Sequence, residues 1–118
     1  MPTDRAAPAL RLRDYLSIPY LISARTFEAS PGAWRREARY PELPGCLGEA
    51  PTIEEALVAL ERRRIETVLA LLRAGTPPPV PRPPLPDADP AGLAERLGLA
   101  PLVEGLLDRT AAELHPAN

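Results

Sequence analysis

The clearest apolar pattern in the chain lies between residues 53 and 74. One stripe of an amphipathic helix is predicted by apolar residues that recur at helical spacing, namely Ile53, Leu57, Leu60, Val68 and Leu71. A second stripe beside it consists of Val58, Ile65, Leu69 and Leu72. Because a small sheet covers only one stripe, we expect the second to be left uncovered. Its four residues are therefore the predicted oligomer interface.

Both ends of this helix are marked by their residue types. Thr52 and Glu55 have the spacing of a capping box, in which the hydroxyl accepts from the Glu amide and the carboxylate accepts from the Thr amide. Gly75 suits a left-handed cap, and Pro77 prevents the helix from continuing. The sequence therefore predicts a single long helix over residues 53–74.

Strand patterns precede the helix. Residues 20–27 are rich in β-formers, and residues 30–32 (Ser-Pro-Gly) predict a turn. Residues 34–40 alternate, which places Trp34, Ala38 and Tyr40 on one face, with Arg36 as the charged exception on that face. A corner rich in Pro and Gly follows, and residues 46–48 are expected to form a short further strand.

The predicted fold class is α+β. We expect a small antiparallel sheet of three or four strands packed on one long helix. Residues 1–15 are interpreted as an N-terminal extension, 16–76 as the α+β domain, 77–89 as a Pro-rich linker and 90–118 as a helical tail. In the tail, Asp89 is the expected cap of a helix opened by Pro90, and Pro101 opens a second.

The segment that joins the strands to the helix is the most specific in the chain. Residues 40–57 read Tyr-Pro-Glu-Leu-Pro-Gly-Cys-Leu-Gly-Glu-Ala-Pro-Thr-Ile-Glu-Glu-Ala-Leu. With the Leu-Ser-Ile-Pro-Tyr sequence at 16–20, the hairpin turn and the aromatic-led second strand, this order resembles the HicB antitoxin family over about residues 16–83. The resemblance implies a partial RNase H-like fold, a homo-oligomer, and an antitoxin that blocks HicA, a small basic RNA-cleaving toxin.

On this interpretation the corner and the exposed side of the helix would cover the RNA-cleaving surface of the toxin. The expected partner-binding residues are Glu42, Leu43, Pro44, Cys46 and Glu49. The alternative is a solitary HicB-like regulatory or assembly module, whose C-terminal helices mediate oligomerisation or docking on another protein.

Charge bears on which partners are expected. The formal net charge is −2, which argues against a general nucleic-acid binder and suits a mildly acidic partner of a basic protein. Many HicB-like proteins carry an added segment that represses their operon. Residues 90–118 hold two Arg against four acids, so DNA binding by this tail is possible but not favoured.

Catalytic and metal-binding patterns are weak in the sequence. The strands offer only Glu28 and Glu37 as acids, whereas a two-metal nuclease needs several convergent carboxylates. Cys46 lies far along the chain from His115, the only histidine. We expect no enzyme activity, no cofactor and no metal site. A single cysteine excludes an intramolecular disulfide, and the absence of an apolar run of membrane-spanning length or a signal-peptide pattern predicts the cytoplasm.

Overall fold

The computed structural model describes residues 9–115. In chain order its elements are α1 (Leu12–Tyr15), β1 (Ser23–Ser30), β2 (Ala33–Arg39), β3 (Leu47–Ala50), α2 (Ile53–Arg73), α3 (Pro90–Arg96), α4 (Ala100–Val103) and α5 (Ala111–Leu114). The predicted α+β class is confirmed: a three-stranded antiparallel sheet of order β1-β2-β3 accompanies one long helix. Residues 1–8 and 116–118, parts of the predicted extension and tail, lie outside the described residues.

The sheet meets α2 through one face of β2 and β3. Ala38 and Tyr40, predicted to share a face, are both buried, and Ala38 pairs with Gly48 of β3. A Cβ atom at Gly48 would overlap the backbone of Leu60 and Ala56, so the strand lies directly against the helix backbone. Only glycine permits that approach.

Trp34 departs from this arrangement. It belongs to the same alternating face as Ala38, yet its side chain is 56% exposed. The reason is geometric: α2 packs over β3 and the end of β2, and the start of β2 together with β1 projects beyond it. The alternation of residues 34–40 therefore identifies the face on which Trp34 lies. Its side chain stays exposed because α2 does not extend over the start of β2.

The predicted ends of α2 are confirmed with one difference. The Thr52 hydroxyl accepts from the Glu55 amide at 3.2 Å, and it donates to the Glu55 carboxylate at 2.9 Å, so that carboxylate is engaged by the hydroxyl instead of the Thr52 amide. At the other end Gly75 has φ +79°, and Gly75 and Thr76 donate to the carbonyls of Leu72 and Leu71. These two bonds form a Schellman cap.

The far side of α2 is covered by the two ends of the described chain. Residues 9–18 and the tail bind each other, with an isolated β-bridge between Arg11 and Thr110 and a bond of 2.9 Å from the Leu12 amide to the Arg109 carbonyl. His115 contacts the Arg73 carbonyl through Nδ1 at 2.9 Å, at the C-terminal end of α2. The extension and the tail are therefore integral parts of the core.

This cover overturns a prediction from the sequence. Ile65, Leu69 and Leu72 are 1%, 3% and 1% exposed, so the expectation that their stripe stays uncovered is wrong. They join one core cluster with residues from the sheet, from α1 and from the tail. Of the four residues in the predicted oligomer interface, only Val58 lies on the surface, at 51% exposure.

The residues of the predicted linker are bonded to the domain that they follow. We call residues 77–86 the proline strap. The Tyr20 hydroxyl donates to the Pro79 carbonyl at 2.6 Å, and the Leu85 amide donates to the Ser17 carbonyl at 2.9 Å. The strap thus runs back along residues 17–20, and differs from a spacer that stands free between two domains.

The tail is helical but more broken than expected. Asp89 caps α3 through the Gly92 amide at 3.1 Å, as predicted. The helix predicted to begin at Pro101 is divided into α4 and α5, because Gly105 takes φ +74° between them. At four residues α4 is a single turn, too short to serve as a reading helix in a DNA groove.

Candidate partner-binding surface

The corner predicted to bind a partner turns inward. Leu43 is 0% exposed and Cys46 is 2% exposed, and backbone bonds hold the turn closed, from Leu43 to the Tyr40 carbonyl and from Tyr40 to the Cys46 carbonyl. Burial raises the pKa of the Cys46 thiol. The prediction that Leu43 and Cys46 contact a partner is wrong for this fold, because both side chains fill the core between the sheet and α2.

The other three corner residues reach the surface in different places. Glu42 is bound by the Arg82 guanidinium at 2.8 and 3.0 Å and by the Leu21 amide. The Arg82 hydrogen bonds, and next the Leu21 bond, hold the pKa of the Glu42 carboxyl below its usual range. Pro44 is exposed, and Glu49 lies 3.2 Å from Arg35 on the sheet face away from α2. The five residues therefore do not make one continuous surface.

A better-formed surface lies on the first half of α2. Val58 projects into solvent, and the shallow depression around it is lined by Glu54, Glu55, Ala59 and Arg62. We call these five residues the helix flank. Its centre is apolar, and its rim carries two carboxylates and one guanidinium, the composition of a protein-binding patch. The sequence analysis identified Val58 but not its neighbours, although the spacing of four residues from Glu54 to Val58 and from Val58 to Arg62 places all three on one face of the predicted helix.

Arg62 also fixes the position of the helix flank relative to the tail. Its guanidinium donates to the Leu97 carbonyl, at the C-terminal end of α3. The rim of the depression is therefore part of the contact between α2 and the tail, and a partner at Val58 would meet a preformed surface.

Behind this surface lies a buried cation that the sequence missed. The Arg64 guanidinium lies 5.3 Å from the Tyr20 ring and 5.5 Å from the Tyr40 ring, and it donates to the carbonyls of Leu16 and Ile18. A run of three Arg residues, as at 62–64, is typical of a solvated helix surface, yet position 64 falls four residues after Leu60 and four before Val68, both fully buried. That spacing was the available signal for burial.

Tyr40 joins this cluster from the sheet. Its hydroxyl donates to the Glu61 carboxylate, and its ring packs 5.7 Å from the Tyr20 ring. Burial, and then the hydrogen bond to Glu61, raise the pKa of the Tyr40 phenol. The tyrosine therefore stays protonated and connects β2 to α2 as a hydrogen-bond donor.

The candidate catalytic groups are not brought together. Cys46 packs near the Leu60 carbonyl, whereas His115 contacts the Arg73 carbonyl, roughly 20 Å further along α2 at 1.5 Å per residue. Glu28 accepts from the Gly32 amide, and Glu37 is bound by Arg25 and Arg39. Within residues 9–115, no group of three or more His, Cys, Asp or Glu side chains is placed to hold a metal ion.

A second exposed region is the hairpin of β1 and β2. Seven of the eight β1 residues are exposed, and Phe27 is the intermediate one. On the face away from α2, Arg25 lies 4.6 Å over the Phe27 ring and 3.0 Å from the Glu37 carboxylate. The Arg25 hydrogen bond is the main reason that the pKa of Glu37 is lowered.

Comparison with known proteins adds no identification to this geometry. A scan of family models, a search of curated proteins and a search of solved structures found no match. The similarity to HicB antitoxins thus stays a prediction from the residues quoted above. Among the helices that the structure describes, none is long and apolar enough to cross a bilayer.

Proposed function

We propose that this chain is a HicB-like antitoxin of the cytoplasm that binds and blocks a small basic RNA-cleaving toxin of the HicA type. The proposal includes a partial RNase H-like fold for residues 16–76. The observation that carries it is the helix flank: an apolar patch at Val58, bordered by Glu54 and Glu55, lies in the first turns of α2, where the segment of residues 40–57 ends.

The chemistry of the helix flank favours a basic protein as partner. Glu54 and Glu55 are exposed and bear the negative charge that would steer a cationic surface toward the patch. Val58 offers apolar area at the centre, where burial on binding contributes most. Because the depression is shallow, it suits the convex side of a folded domain better than a small molecule.

The proposed mechanism is occlusion without any chemical step by this chain. A domain bound at the helix flank would have its RNA-cleaving surface covered by α2 and the adjoining tail. Repression of an operon is not part of the proposal. The described tail has short helices and a predominance of acids, which disfavours contact with phosphates.

The test is co-expression with the small basic protein encoded beside the gene. We expect the two to co-purify and RNA cleavage by that protein to be suppressed. Val58→Arg should weaken binding at least tenfold, because it places a cation at the centre of the contact. Val80→Arg, at a 46% exposed position on the proline strap, is the matched control and should bind as the wild type does.

Two results would contradict the proposal. One is failure of the wild-type chain to bind the neighbouring basic protein at micromolar concentration. The other is wild-type affinity in the Val58→Arg variant with its fold intact by circular dichroism, which would remove the helix flank from the contact.

A further inference from the structure

Within residues 9–115, no strand pairs with the outer edge of β1. The sheet order is β1-β2-β3, so among the described strands β1 has a hydrogen-bonded neighbour on one side only. Neither face of β1 is covered by α2, as the exposure of seven of its eight residues shows. A long exposed edge offers a row of unpaired amides and carbonyls to another strand.

A strand in the extended conformation can replace water along such an edge, and β1 of a second copy is one such strand. β1 has eight residues, with an irregularity between Glu28 and Ser30, and can pair up to seven of them with a second copy, whereas β3, at the other edge, has four residues in all. A closed pair of antiparallel strands has a two-fold axis perpendicular to the sheet. Because side chains alternate between faces, one residue of the strand must then lie opposite its own copy.

We propose that two copies of this chain pair through their β1 edges, antiparallel and centred on Phe27, to form one six-stranded sheet. In this register the two Phe27 rings face each other on the sheet face away from α2. Thr26 of each copy lies opposite Glu28 of the other. Arg36 is the β2 neighbour of Thr26.

Charge complementarity supports a second copy as the occupant. Glu28 and Arg36 point to the face that carries α2, and among the described residues neither takes part in an ion pair. The Glu28 carboxylate accepts from the Gly32 amide of its own chain. In the dimer, the Arg36 side chain of one copy would extend past Thr26 toward Glu28 of the second copy, and the symmetry would form this pair twice.

Other registers are less favourable on the same grounds. A pair centred on Arg25 would oppose two guanidinium groups, and one centred on Glu28 would oppose two carboxylates. Like charges directly opposite one another on a sheet are destabilising. A Thr26-centred pair has no such clash but places Glu28 opposite Ala24, where it lies further from Arg36.

Cysteine cross-linking tests both the edge and the register. Wild-type Cys46 is buried, so the parent chain gives the background. Under mild oxidation Phe27→Cys should yield a disulfide-linked dimer, since directly opposed Cβ atoms lie about 4.5–5.5 Å apart and modest adjustment permits a disulfide. Thr26→Cys should link more slowly, because its copy would be diagonal, and Val80→Cys should stay near background.

A mass measurement gives an independent reading without oxidation. The wild-type chain should show twice the monomer mass by light scattering at about 100 µM, and Phe27→Asp should shift it to monomer by opposing two carboxylates on the axis. Wild-type monomer at this concentration, or faster linking of Thr26→Cys or Val80→Cys than of Phe27→Cys, would overturn the proposal. No toxin enters either experiment, so its outcome is separate from that of the proposed antitoxin activity.

Discussion

The helix α2 and the β1–β2 hairpin have opposite surroundings, although both have clear apolar periodicity. Leu69 on α2 is 3% exposed, and Trp34 on β2 is 56% exposed. The helix lies between the sheet on one side and the joined N-terminal segment and tail on the other. Among the described residues, no helix covers β1 or the start of β2. A regular pattern therefore indicates which face is apolar, while burial depends on whether another segment reaches that face.

The largest expected difference comes from truncating one large side chain in each region. Leu69→Ala should lower the free energy of unfolding by about 2–5 kcal/mol, because it leaves a cavity in the covered core. Trp34→Ala should change it by less than about 0.5 kcal/mol, the usual range for an exposed position. Urea unfolding followed by circular dichroism measures both, and equal losses would refute the contrast.

The buried cation sharpens the comparison within α2 itself. Arg64→Met should cost about 1–3 kcal/mol, because the carbonyls of Leu16 and Ile18 lose a buried donor. Arg63→Met, at the exposed neighbouring position, is the control and should be close to neutral. If both variants unfold at the same urea concentration as the wild type, Arg64 does not connect residues 16–18 to α2.

The smallest expected effect concerns the proline strap and depends on pH. The pKa of Glu42 is lower in the folded state, so its pair with Arg82 stabilises the fold above the unfolded-state pKa of about 4.5. That contribution is lost as the pH falls through the lowered folded-state value. Wild-type stability should therefore fall more steeply below about pH 5 than that of Glu42→Gln. Parallel curves in urea titrations at pH 7, 5, 4 and 3 would contradict this.

Local signals predicted much of the fold. The cap at Thr52, the left-handed Gly75 and the alternation of Ala38 and Tyr40 involve residues close in sequence, and the structure confirms all three. A turn or a cap is formed by the same few neighbouring residues that signal it, so these elements could be predicted from the sequence.

Which of the predicted interface residues stay exposed was less accessible from the sequence, because it depends on contacts between distant segments. Arg11 pairs with Thr110, and Arg82 reaches Glu42 and the Pro19 carbonyl. These contacts cover the stripe of Ile65 and Leu69 and occupy one of the predicted corner carboxylates. Nothing in local periodicity indicates that a proline-rich segment folds back, so the sequence left exposed what the structure buries.

Amide hydrogen exchange at low micromolar concentration tests the contrast between these two regions most directly. We expect the α2 amides from residue 60 to 72, together with Leu12 and Arg13, which donate to the carbonyls of Arg109 and Leu107, to exchange only by global unfolding. The β1 amides that point away from β2 should exchange orders of magnitude faster. Rapid exchange at Leu12 and Arg13, or uniform protection throughout β1, would contradict a helix covered by its own chain beside a bare hairpin.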